Sequence, residues 1–166
     1  MKKYLIFPLV AVLFISCGGK SEEEYFESAN KLILEGSISE AITEYENMIN
    51  EFPEGQFVTQ ALFQIGTLYQ NKQIKNLEAT ESLQKAIEYY EKIYNEYSES
   101  VEAPKGLFMI GFIQANELFN LDAAKESYSL FLQKYPDHEL AVSAQGELEM
   151  LGKTPEEILL ENKKNQ

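Results

Sequence analysis

Residues 106–136, GLFMIGFIQANELFNLDAAKESYSLFLQKYP, hold one complete helix-turn-helix unit, and its landmarks recur along the chain. In its second half Ala124, Tyr128, Phe131, Leu132 and Tyr135 stand at steps of 4, 7, 8 and 11, one stripe of a helix, and Pro136 ends it. The same offsets hold Ala41, Tyr45, Met48, Ile49, Phe52 and Pro53, and again Ala86, Tyr90, Ile93, Tyr94 and Tyr97, with Ser98 in the proline's place. Eight residues beyond each stop a small residue, Ala61, Gly106 or Ala144, opens another apolar helix. A helix of about 12 to 15 residues is marginal alone in water. Each unit must therefore bury its stripe against its own partner helix and against the next unit. The expected fold is all-α, a superhelical array of antiparallel helix pairs with about 3.5 repeats.

The 166-residue chain is 45% hydrophobic, which argues for a continuous core rather than disorder. It carries 27 Asp and Glu against 14 Lys and no Arg. Removing residues 1–16 takes away Lys2 and Lys3 and leaves a net charge of −15 on the remainder. A field of that sign repels nucleic acid and anionic headgroups, so nucleic acid is excluded as a partner.

A single cysteine, Cys17, makes no internal disulfide and is read by its surroundings. Lys2 and Lys3 form a basic start, an apolar run of twelve residues covers 4–15, and Ser16-Cys17-Gly18-Gly19 follows. The run is shorter than the roughly 20 residues a bilayer span needs and has the build of a secretory signal. It resembles a bacterial lipoprotein signal, although Phe14 and Ile15 depart from the usual residues before the cut. That resemblance implies cleavage before Cys17, lipidation of its thiol and amine, and a chain held on the bacterial outer membrane, facing the periplasm. Acyl chains hold a protein on a membrane through about 0.8 kcal/mol per buried methylene. The expected organisation is a signal peptide at 1–16, a lipidated tether at 17–20, repeats at 21–153, and a capping helix with a charged tail at 154–166.

Along the chain, Ser21 with Glu24 predicts a capping box for a helix over 21–35, Gly36 closes it, and Ser37 with Glu40 is expected to cap the next, which runs to Phe52. Glu24 and Glu27 fall where later units place apolar residues, so this first pair reads as the cap of the array. Further helices are expected over about 56–70, 81–97, up to 119, up to 135 and 139–151, with a capping box at Thr154 and Glu157. One irregularity stands out: Ala61 to Ala86 is 25 positions, whereas Gly106 to Ala124 is 18. The extra residues, around 71–80, hold Lys72 and Lys75 and read as a surface insertion or a partner-contacting loop. Tyr90, Tyr94 and Tyr97 lie on the buried stripe, leaving Tyr89 as the exposed candidate of that helix.

No residue pattern carries catalysis, a metal or a cofactor. The only histidine, His138, sits in a turn between Asp137 and Glu139, so neither a Ser-His-Asp arrangement nor converging metal ligands can be built around it. The carboxylates recur at solvated helix positions, and the glycines follow no phosphate-cradling motif.

The repeats resemble the tetratricopeptide repeat. Ile65-Gly66 with Tyr69, and Ile110-Gly111 followed by Ala124, Tyr128 and Pro136, follow that family's order of large residue, glycine, tyrosine, alanine, aromatic and proline. Gln114 stands where Tyr69 stands, and the spacings of 38 and 45 exceed the family's usual 34. The resemblance implies a groove lined by first helices, here by Gln60, Phe63, Thr67 and Gln70, then by Lys105, Phe108, Phe112 and Ala115. Phe63, Phe108 and Phe112 either anchor a partner or pack beneath a neighbouring helix. The repeats are also similar to those of BamD-type lipoproteins of the outer-membrane β-barrel assembly machine and of the YbgF (CpoB) type that works with Tol-Pal. The implied role is non-enzymatic: a lipid-anchored envelope scaffold that holds another envelope protein or peptide segment. The alternatives are a lipoprotein that binds a peptidoglycan or polysaccharide fragment, and a Tol-Pal or cell-division accessory protein.

Overall fold

Side-chain caps form where Ser21 and Asn120 accept from the first turn of their helices, and the turns between helices are short. The computed structural model describes residues 19–154 and 156–157, so the signal segment, Cys17 and most of the closing tail lie outside the described residues. Seven helices follow in order: α1 (Glu22–Leu34), α2 (Ile38–Glu51), α3 (Val58–Gln70), α4 (Ala79–Glu96), α5 (Glu102–Asn116), α6 (Leu121–Lys134) and α7 (Ala141–Met150). Among the described residues there is no strand, and each helix packs on its neighbours in sequence, as the all-α array requires.

The capping box at the start of α1 is formed. Glu24 N–H donates to Ser21 Oγ at 3.2 Å, and Ser21 N–H donates to Glu24 Oε2 at 2.7 Å. These bonds hold the Glu24 carboxyl below its ordinary range. Gly36, at φ +77°, ends the helix: its N–H reaches Ile33 O and that of Ser37 reaches Leu32 O, a Schellman pair. Ser37 does not cap α2 with its side chain, contrary to expectation, because its backbone is already committed to closing α1. Helix α5 stops at Asn116, short of 119, and Phe119 takes φ +54° in the turn. Thr154 and Glu157 make their reciprocal bonds at 3.3 and 2.8 Å.

The 71–80 irregularity is only partly a loop. Helix α4 has 18 residues against 14 in α6, so four of the additional residues wind into an extra first turn of α4. That turn is anchored by Ser82, whose buried hydroxyl donates to Tyr69 O at 2.5 Å. Lys72 pairs with Glu117 at 2.8 Å, which ties the remaining turn to the end of α5.

Three hairpins are built on one unit. A phenylalanine on the first helix leans on a buried tyrosine of the second: Phe26 on Tyr45 at 5.5 Å, Phe63 on Tyr90 at 5.2 Å, and Phe108 on Tyr128 at 5.6 Å. Three residues after each phenylalanine comes Ala29, Gly66 or Gly111, where the helices approach closely. A Cβ on Gly66 would meet the Tyr90 ring at 2.7 Å, and one on Gly111 the Tyr128 ring at 2.8 Å. Such tilted aromatic pairs add about 0.5–1.5 kcal/mol beyond the area they bury.

This alignment brings α1–α2 into step with the later hairpins and explains its acids. Glu24 takes the place of Ala61 and Gly106, and Gly106 faces the backbone of α4, the second helix of the preceding hairpin. Helix α1 has no described predecessor to meet, and a charge there is solvated.

Helices α3 and α5 touch directly and are bridged by Gln70 to Glu117 at 3.0 Å and Thr59 to Glu102 at 2.7 Å. Helices α2 with α4, and α4 with α6, make at most marginal contact. Helices α3 and α5 therefore lie on the inner side of the array, where these hairpins approach, and α2, α4 and α6 splay on the outer side.

Candidate functional site

The inner face is supplied by α3 and α5. Helix α3, VTQALFQIGTLYQ, has no charged residue, although a quarter of the chain is charged. The inner wall is therefore close to neutral in an otherwise acidic molecule.

The eight residues expected to line the groove do not share one role. Phe63 and Phe108 are half-buried and sit in the Phe–Tyr pairs described above; Phe108 also meets Phe131 edge-on at 6.0 Å. Their rings hold each hairpin together and offer only an outer edge. Thr67 donates to Phe63 O at 2.9 Å and lies 3.2 Å from the Tyr90 hydroxyl. Gln70 accepts from that hydroxyl at 3.2 Å and donates to Glu117. Ala115 is buried. Gln60 is exposed and Lys105 half-buried, neither with a side-chain hydrogen bond or ion pair among the described residues.

Phe112 is different. Of the described half-buried phenylalanines and tyrosines it alone is not packed on the core cluster, and its ring pairs with no other aromatic ring. Phe112 takes the position of Thr67, and Ala115 that of Gln70. These are the residues that serve the Tyr90 hydroxyl, and the Tyr128 hydroxyl, fully buried, accordingly has no hydrogen-bond partner. Burial and the nearby charge of Glu147 push the Tyr128 phenol far above its usual value. One exchange, Thr67 and Gln70 for Phe112 and Ala115, removes a polar network and supplies an apolar surface.

The tyrosines do not form a platform. Tyr45, Tyr90 and Tyr128 are buried, and Tyr97 donates to Pro53 O at 3.0 Å. Tyr89 is not the exposed residue its helix position suggests: its ring stacks on Tyr69 at 5.6 Å and its hydroxyl donates to Glu46 of α2. Burial and that carboxylate drive its phenol far upward. The helical period leaves Tyr89 off the α4 stripe because the surface it meets is supplied by two other helices.

His138 organises its turn. Nδ1 accepts from the Leu140 N–H at 3.1 Å, and the ring stands edge-on to Phe131 at 5.8 Å. Among the described residues no group of three or more His, Cys, Asp and Glu could hold a metal, and no helix is long and apolar enough to cross a membrane.

Residues 60–100 and 105–138 match the family model of the tetratricopeptide repeat, one match over α3–α4 and the next over α5–α6, each running into the turn that follows. These two hairpins are similar to tetratricopeptide repeats, a class that is generally non-catalytic and binds protein partners. No curated protein matches the chain. The α1–α2 hairpin lies outside the matched residues yet carries the same Phe–Tyr geometry.

Proposed function

We propose that the chain is a lipid-anchored scaffold of the bacterial cell envelope, tethered through Cys17 at the outer membrane, which holds a segment of another envelope protein along the inner face of α3 and α5. Phe112 carries this reading: an apolar ring on a nearly neutral wall, not engaged by its own core, has the character of a binding anchor. The anchor rests on the run of residues 4–15 before Cys17. Lys20 is bound to Glu44 and lies 5.2 Å from the Tyr25 ring centre, at the start of the repeats, so residues 17–20 make a short tether. A scaffold held that close to the bilayer presents its groove to membrane-bound partners, and the resemblance of the repeat sequence to BamD-type lipoproteins is the ground for placing it in outer-membrane protein assembly. A sugar-binding role draws no support from tyrosines spent on the core and on each other.

The test places a photo-crosslinking side chain at position 112 in living cells, with position 119 as an exposed comparison. One envelope protein should be trapped in stoichiometric yield from 112, and Phe112→Ala should abolish its co-purification while unfolding at the parental temperature. Labelling with a palmitate analogue should be lost in Cys17→Ala. Equal crosslinking from both positions would sink the groove, and unchanged palmitate labelling would sink the anchor.

A further inference from the structure

Where the second helices splay apart, each gap leaves a cleft on the outer side. One of about 180 Å³ lies between α2 and α4 over Leu62; another of about 220 Å³ lies between α4 and α6 over Leu107 and Ile110. The two are related by the repeat. Glu46 of the first corresponds to Glu91 of the second, Leu62 to Leu107, Tyr89 to Ser127 and Lys92 to Leu130.

The first cleft is satisfied from within. The Tyr89 hydroxyl donates to Glu46, the Tyr89 ring stacks on Tyr69, Lys92 lines the wall, and Glu88 is paired with Lys85 at 2.8 Å. The second keeps both acids, as Glu91 and Glu126, and loses each of those partners. Tyr89 is replaced by Ser127, Lys92 by Leu130, Lys85 by Ala123 and Tyr69 by Gln114. Neither Glu91 nor Glu126 has a hydrogen-bond or ion-pair partner among the described residues. Ser127 Oγ turns back onto Ala123 O at 3.0 Å, and Lys134 lies over the Tyr94 ring at 4.6 Å rather than between the carboxylates.

We propose that the α4–α6 cleft takes an arginine side chain of a partner protein. The aliphatic stem lies on Leu107, Ile110 and Leu130, and the guanidinium stands between Glu91 and Glu126. The Glu91 and Glu126 carboxylates lack a donor from the chain, and a guanidinium offers five N–H groups in a fixed plane together with the opposite charge. An apolar floor under two free carboxylates suits a side chain with a greasy stem and a cationic head. The site lies on the outer side and does not depend on what occupies the inner face.

The test titrates the purified full chain with a fluorescent capped peptide, Ala-Ala-Arg-Ala-Ala, and with its lysine and norleucine counterparts, by polarisation. The arginine peptide should bind at least tenfold more tightly than the norleucine peptide and at least threefold more tightly than the lysine peptide. Ser127→Tyr, which rebuilds the plug of the first cleft, should weaken it at least fivefold, as should Glu91→Gln and Glu126→Gln, all with unchanged thermal unfolding. Glu46→Gln and Glu88→Gln should stay within twofold of the parent. Norleucine binding as tightly as arginine overturns the proposal, as does a loss in Glu46→Gln equal to that in Glu91→Gln, which would report general acidity. Equal binding of lysine would refute the choice of a guanidinium.

Discussion

The hairpins α3–α4 and α5–α6 share a scaffold and differ in almost every polar detail. In both, a phenylalanine leans on a buried tyrosine and a glycine lets the ring lie against the helix backbone. In the first, the tyrosine hydroxyl and the acid of the outer cleft are both satisfied by internal partners. In the second, Thr67 and Gln70 give way to Phe112 and Ala115 on the inner side, and Tyr89, Lys92 and Lys85 to Ser127, Leu130 and Ala123 on the outer side. Positions that repeat build the array; positions where one repeat has shed its partners are where something else can bind.

The shared scaffold is tested first, since it predicts equal and large losses. Tyr90→Ala and Tyr128→Ala should each cost about 3–5 kcal/mol, the range for removing a fully buried aromatic ring, read from urea unfolding of the full chain. A loss at one position that is less than half that at the other would break the equivalence of the two hairpins.

Most of this scaffold was legible in the sequence, because the second-helix stripe of alanine, tyrosine and aromatic is a 3.6-residue pattern and the small residues eight positions past each stop are fixed by close helix crossings. The companion pattern on the first helices, FESA at 26–29, FQIG at 63–66 and FMIG at 108–111, was also present and would have brought α1–α2 into step. It was hidden because distances between the two helices of a hairpin vary with turn length, and the longer 71–80 segment shifts the offset. Groove and core phenylalanines could not be separated either. Periodicity names a face but not what covers it, and Phe63 and Phe108 are covered by tyrosines of the next helix. Tyr89 failed in the same manner, since its partners Tyr69 and Glu46 come from α3 and α2.

The three buried tyrosines, one from each hairpin, predict a shared response to alkali. Burial raises all three phenols, Tyr45 to about 12. An acid whose folded pKa is raised contributes stability that is complete below the unfolded value, about 10 for a free phenol, and is lost as pH climbs through the folded value. The melting temperature should therefore hold up to about pH 10 and fall between about pH 10 and 12. Tyr45→Phe should blunt the fall, and a flat profile across that window would show that the rings are not buried as described.

The smallest effect discriminates best between the hairpins, because it changes a single oxygen. Tyr90 OH is hydrogen-bonded to Thr67 and Gln70, so Tyr90→Phe removes both bonds and strands the Gln70 carbonyl, a loss of about 1 kcal/mol or more. Tyr128 OH is buried with no partner, so Tyr128→Phe removes a group that gave up its hydration for nothing and should leave stability unchanged or raise it by up to about 1 kcal/mol. Opposite signs for the same chemical change would establish that the second hairpin traded an internal polar network for the apolar wall at Phe112. Equal losses would mean that the Tyr128 hydroxyl has an acceptor after all, and the contrast on which Phe112 was singled out would then rest on exposure alone.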